Sequence, residues 1–168
     1  VISRMTVPDD WRFILVFDRR GQGLHGKQEI QAFKELPPFP QQEAARLCYL
    51  LMMQGLPALA EGDIQLFGDA ITQLQTSVGE HFASAQGGVF TSQEVASVMQ
   101  FLQQQGAVAI GQTSWGPTGF CAVQGVELAE RLKQQVENDY AHCENLSVLI
   151  ASARNSGGEV IVERTLVR

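Results

Sequence analysis

The apolar positions first gather at 11–17, "WRFILVF", a β-rich run that ends in the turn-forming "DRRGQG". It predicts a buried strand feeding a glycine-rich loop. "HGKQEIQAFKEL" (25–36) predicts a short helix stopped by "PPFP". Residues 41–54 carry a broad apolar face and predict a longer helix, broken or kinked by Gly55 and Pro57. From Asp63, a candidate N-cap, Ile64, Phe67, Ile71, Leu74 and Val78 recur every three or four positions, one helical stripe. The small and polar residues of "GEHFASAQGGVF" (79–90) read as a loop. "TSQE" (91–94) reads as a capping box, with Thr91 as the cap and Glu94 reaching back, ahead of Val95, Val98, Met99 and Leu102. "AVAI" (107–110) and "TGFCAV" (118–123) predict two strands around a glycine loop. "VELAERLKQQVENDY" (126–140) predicts an amphipathic helix, "LSVLIAS" (146–152) a buried strand, and 158–163 a last strand or extended tail.

This order, one strand, several helices, two strands, a helix and a strand, is the split βαβ plan. The fold class it predicts is α+β: a ferredoxin-like sandwich with extra helices between the first two strands. An antiparallel sheet with helices on one face would bury these patterns. No internal repeat interrupts them.

The chain of 168 residues is long enough for one domain with a real core. Its formal net charge of −6 argues against a general nucleic-acid surface. Cys48, Cys121 and Cys143 are odd in number and lack CxxC spacing, so they read as free thiols of a reducing, cytoplasmic compartment. No signal peptide is evident, and the longest apolar run, "LCYLLMM" (47–53), is too short to span a bilayer. The histidines His25, His81 and His142 show no metal spacing, so no metal ligand is assigned.

The chemistry concentrates in "GQTSWGPTGF" (111–120). Gly111, Gly116 and Gly119 allow close approach of a ligand to the main chain, and Thr113, Ser114 and Thr118 add hydroxyls. A long irregular hairpin with Trp115 as a packing anchor accounts for the same composition. Arg19 and Arg20 beside Gly21 are candidate anion ligands, or a solvated turn. "AQGG" (85–88) is a second backbone loop, with Gln86 and Gly87 able to meet a substrate, or a plain linker between helices. His25, near Glu29, is a candidate for proton transfer, or an exposed residue at a helix start.

"GAVAIGQTSWGPTGFCAV" resembles the C-terminal glycine motif of the galactokinase, homoserine kinase and mevalonate kinase superfamily, with Gly106-Ala107 and Gly116-Pro117-Thr118 in the motif's places. The Trp-bearing "GQTSWGPT", the strand start at Asp10–Phe13, "RGQGLHGKQE" (20–29), "LPALAEGDIQLFGDAI" (56–71) and "AQGG" look closer to its non-kinase members, the β-ribofuranosylaminobenzene 5′-phosphate synthases. The resemblance implies only the C-terminal half of such an enzyme. Residues 1–10 would be an inter-domain linker and 11–168 the C-terminal domain, inactive without its N-terminal domain.

The reaction implied is condensation of 4-aminobenzoate with 5-phosphoribosyl 1-diphosphate, releasing CO₂ and diphosphate, at the entry to tetrahydromethanopterin, a one-carbon carrier of methanogens and methylotrophs. Mg²⁺ and a homodimer are implied by the resemblance alone. Laid on this chain, Gly111, Gln112, Ser114, Gly116 and Thr118 would present donors to a phosphate or carboxylate. Trp115 would stack on the aromatic acid or wall the pocket, and Arg19, Arg20, Gly21, Gln86 and Gly87 would complete the substrate site. Two other classes stay open: the C-terminal domain of an ATP-dependent small-molecule kinase, in which Trp115 would be unusual, and a non-catalytic ferredoxin-like sensing or dimerisation module, for which the helical stretch is unusually long.

Overall fold

The computed structural model describes residues 3–158. The predicted strand or tail at 158–163 lies, from residue 159 on, outside them. Four strands, β1 (Trp11–Asp18), β2 (Val108–Gln112), β3 (Gly119–Gln124) and β4 (Leu146–Ala151), form one sheet in the order β2-β3-β1-β4. Every neighbouring pair is antiparallel, with Phe13 opposite Ala122 on one side and Ala151 on the other. β3 therefore lies between β1 and β2, which is the split βαβ arrangement expected.

The helices are α1 (Gly26–Glu35), α2 (Gln41–Leu50), α3 (Leu56–Glu61), α4 (Ile64–Gln86), α5 (Gln93–Gln104) and α6 (Val126–Asp139). Strand alternation assigns each to a face. Ile14, Val16, Cys121 and Val123 meet Val98, Met99 and Leu102 of α5 and Leu132 and Val136 of α6. The intervening Trp11, Phe13 and Ala122 meet Ile64, Phe67 and Ile71 of α4. Helices thus occupy both faces, not one: α5 and α6 cover the first, while α4 runs along β2 on the second. Gly68 makes this possible, because a Cβ there would sit 2.3 Å from the Val108 Cβ.

α4 also caps the edge of the sheet. The backbone N–H of Ile110 donates to Thr72 Oγ1 at 3.0 Å, and that of Gln112 to Gln75 Oε1 at 3.1 Å. These strand donors point away from β3 and would otherwise be open.

Three local expectations change. The break expected near Gly55 is instead a π-turn at Leu51–Gly55 that joins α2 to α3 without leaving helical geometry. The segment 79–86, read as a loop, is the last part of α4, which ends at Gly87 in the left-handed region. Gly79 lowers helix propensity, yet it is needed because a Cβ would meet Val89 Cγ1 at 2.6 Å. The α5 cap is Ser92, whose hydroxyl accepts from the Val95 N–H, and not Thr91. Glu94 does not reach back; it bonds Asn145 at 2.8 Å and Arg20. Asp63 caps α4 as expected, accepting from Gln65 and Leu66.

Among the described residues, no helix is long and apolar enough to cross a membrane. The three cysteines are free, and burial pushes the Cys121 thiol up to about 12.

Candidate functional site

The pairing of β1 with β3 sets Val16 opposite Gly119. The loop after β1 (19–25) and the loop between β2 and β3 (113–118) therefore leave the sheet side by side. They touch at Gly23, where a Cβ would lie 2.5 Å from the Gly116 carbonyl oxygen. Glycine is required there for close approach of two backbones.

The second loop is closed by two internal bonds, Thr113 N–H to Thr118 O at 2.9 Å and Gly116 N–H to Thr113 O at 2.8 Å. Ser114 and Gly116 take φ of 48° and 71°, and the Gly116-Pro117 peptide is cis. Side chains from elsewhere then hold this loop. Gln112 Oε1 accepts from the Thr91 N–H at 2.7 Å, and its Nε2 donates to Gln86 Oε1 and the Ser114 carbonyl, each at 3.3 Å. Thr91, freed from capping, donates its hydroxyl to the Trp115 carbonyl at 2.8 Å.

Trp115 is 7% exposed. Phe33 and Phe82 pack edge-on against its ring, at centroid distances of 5.5 and 4.8 Å, and its Nε1 donates to Glu29 at 3.0 Å. The large side chain among the glycines is an anchor joining the loop to α1 and α4.

Two hollows flank the loop. One, of about 380 Å³, lies between α4, α5 and β2 and gathers four of the sequence candidates, Gln86, Gly111, Gln112 and Ser114. The other, of about 450 Å³, is lined by Asp18, Arg20, Gly21, Thr91, Glu94 and Pro117. Thr118 and Trp115 line neither. Gly87 ends α4, next to Gln86, whose Nε2 donates to the Gly88 and Val89 carbonyls. Arg19 lies outside both hollows, donating to the Glu144 carbonyl at 3.1 Å. His25 does too: it is exposed at the start of α1, with Nδ1 3.0 Å from the Gly23 carbonyl.

Arg20 is committed to carboxylates: its guanidinium bonds Asp18, at 3.1 Å, and Glu94. Burial alone would raise the Asp18 carboxyl. Donation from the Arg20 N–H, Ser92, Asn145 and the Arg20 side chain outweighs it and holds Asp18 at about 2. Among the described residues, no three His, Cys, Asp or Glu side chains converge to hold a metal ion. The carboxylates of Asp18 and Glu94 that do meet close on Arg20. Among the described residues, the implied Mg²⁺ finds no fitting ligand set.

Sequence reading missed Asp18, Asn145, Thr72 and Gln75, and gave Thr91 and Glu94 only a capping role. Asp18 ends an apolar run and passes for a strand boundary. Thr72 and Gln75 are three positions apart on α4, and that spacing beside the apolar stripe was the available signal of a polar inner face.

The family model described as GHMP kinases C terminal matches residues 56–143, and the chain belongs to that family. Among curated relatives, the β-ribofuranosylphenol 5′-phosphate synthase of Archaeoglobus fulgidus is 28% identical over 168 aligned positions, covering 96% of this chain and 48% of the relative. The protein of the same name from Methanothermobacter thermautotrophicus is 27% identical over 117 positions, covering 70% of this chain and 34% of the relative. The chain thus spans about half the length of the Archaeoglobus relative, or less in the second case. In fold it is similar to the homoserine kinase of Cytophaga hutchinsonii, with a TM-score of 0.60 at 14% identity, covering 95% of this chain and 47% of that one. Lactococcus lactis galactokinase has a TM-score of 0.55 at 13% identity, over 85% of this chain and 45% of that one. At such identities the likeness is one of fold.

Proposed function

We propose that this chain is the C-terminal half of a synthase joining C1 of 5-phosphoribosyl 1-diphosphate to the ring of a para-substituted benzoate, with release of CO₂ and diphosphate, in tetrahydromethanopterin biosynthesis. Residues 1–10 would be the linker and 11–168 the domain, working with its own N-terminal half and as a homodimer. The observation that carries this reading is the alignment with a synthase-named relative over 96% of the chain. The sequence reading points to 4-aminobenzoate, and the relatives' names carry a phenol, so both 4-amino- and 4-hydroxybenzoate are candidate acceptors.

The proposed chemistry balances without a redox partner. The C1–O bond breaks with its electron pair going to diphosphate. The ring carbon bearing the carboxylate bonds to C1. The electrons of the ring–carboxylate bond return to the ring as CO₂ departs. No net proton is transferred, so His25 is assigned no step.

Among the described residues, the backbone N–H groups of Ser114 and Trp115 have no protein acceptor. Such free donors beside left-handed residues suit an anionic oxygen. Gln86 and Gln112 would face the uncharged part of a substrate. Arg20, already bridging two carboxylates, would set the electrostatics of the second hollow. No step runs through Mg²⁺.

The test uses the intact two-domain protein with carboxyl-labelled 4-amino- or 4-hydroxybenzoate, 5-phosphoribosyl 1-diphosphate and added Mg²⁺. The expected result is labelled CO₂ whose release requires the ribosyl diphosphate. No release from either benzoate overturns the reading.

A further inference from the structure

We infer that Thr91 is a positioning residue for the two open donors of the glycine loop, the backbone N–H groups of Ser114 and Trp115. The inference rests on the proposal above that these donors meet an anionic oxygen, here that of the departing diphosphate. Among the described residues, neither N–H has a protein acceptor. Such donors stabilise developing charge only when their direction is fixed before the charge appears.

The peptides from Thr113 to Gly116 are trans. In a trans peptide the N–H points opposite to the carbonyl of the same plane. A held carbonyl therefore aims the N–H that follows it. The Thr113 carbonyl accepts from the Gly116 N–H at 2.8 Å, which aims the Ser114 N–H. The Ser114 carbonyl accepts from Gln112 Nε2 at 3.3 Å, which aims the Trp115 N–H.

Both chains of bonds run back to Thr91. Its hydroxyl donates to the Trp115 carbonyl at 2.8 Å and so sets the plane that carries the Gly116 N–H. Its backbone N–H donates to Gln112 Oε1 at 2.7 Å, which leaves Gln112 Nε2 turned towards Ser114. Ser114, at a φ of 48°, holds a conformation that a residue other than glycine keeps only where its neighbours dictate it. Those neighbours are close: a Cβ on Gly116 would lie 2.6 Å from Gln112 Oε1 and 2.8 Å from Thr91 Oγ1. Capping does not account for Thr91, because Ser92 caps α5.

The experiment compares the intact two-domain wild type with Thr91→Val, which keeps the shape and removes the hydroxyl, and Thr91→Ser, which keeps the hydroxyl. Binding of inorganic diphosphate is measured by titration calorimetry. The kinetics of labelled CO₂ release are measured with each substrate varied in turn. Thr91→Val should weaken diphosphate binding about fivefold and lower kcat by a similar factor. KM should rise for the ribosyl diphosphate and stay unchanged for the benzoate, and Thr91→Ser should recover most of the loss. Unchanged diphosphate binding in Thr91→Val would overturn the inference, as would a KM that rises equally for both substrates or a serine variant that restores nothing. If neither benzoate releases CO₂ while diphosphate affinity follows the hydroxyl at residue 91, the synthase reading fails and the inference stands. If CO₂ is released and diphosphate affinity ignores residue 91, the inference fails and the synthase reading stands. If Thr91→Val does not fold, Thr91→Ala takes its place, removing the hydroxyl without setting a second methyl against the Trp115 carbonyl.

Discussion

The indole Nε1 of Trp115 donates to the Glu29 carboxylate at 3.0 Å, between residues 86 positions apart. This bond and the Phe33 contact fasten α1 to the glycine loop. A Trp115→Phe change keeps a ring but removes the donor, and Glu29→Ala removes the acceptor. In a double-mutant cycle by urea denaturation, the two should be coupled by about 1–2 kcal/mol. Additive losses would show that the pair does not act together.

Glycine to alanine in an exposed helix interior usually stabilises by about 1 kcal/mol. At Gly68 the sign should reverse, because the new methyl would sit 2.3 Å from Val108 Cβ and lift α4 from the sheet. Gly68→Ala should lower unfolding free energy by about 1–3 kcal/mol, read from denaturation midpoints. An unchanged or raised midpoint would contradict the packing of α4 on β2.

Gly23→Ala adds a methyl 2.6 Å from the Trp115 carbonyl oxygen and so forces the two loops apart. Displacement of a site by about 1 Å can cost about a hundredfold in rate. In the intact protein, kcat/KM for labelled CO₂ release should fall at least about tenfold. Unchanged turnover would mean that the meeting of the two loops is irrelevant to the reaction.

Asp18, held at about 2, favours the folded state in its ionised form. Its unfolded counterpart titrates near 4, so the stabilisation is complete above about pH 4 and is lost as pH falls towards about 2. Glu43, held at about 2 by Arg46 and Ser77, titrates in the same window. The difference between wild type and Asp18→Asn isolates the first carboxyl. Urea midpoints from pH 5 down to 2 should show that difference shrinking; a constant difference would exclude the ionised carboxylate as its cause.

Most of the fold was legible because burial leaves a period. Ile14 and Val16 alternate with Phe13 and Leu15, and Ile64, Phe67 and Ile71 repeat helically. What was illegible came from contacts between distant segments. Nothing local marks Gly79 as a helical glycine, since its reason is Val89. Thr91 fits a capping box by itself, but the Trp115 carbonyl claims its hydroxyl. In the candidate site, Gln86 and Gln112 stood out because glycines flank them. Gln75 resembles any solvated helical glutamine until the β2 backbone is laid against it.

The Thr72 and Gln75 bonds to β2 have one more outcome. They occupy strand donors that an incoming chain would need, and α4 lies across the approach. The sheet is therefore closed to extension at its β2 edge. A swapped strand, a neighbouring copy or a growing polymer cannot add beside β2, because the donors it would need there are taken and α4 covers them.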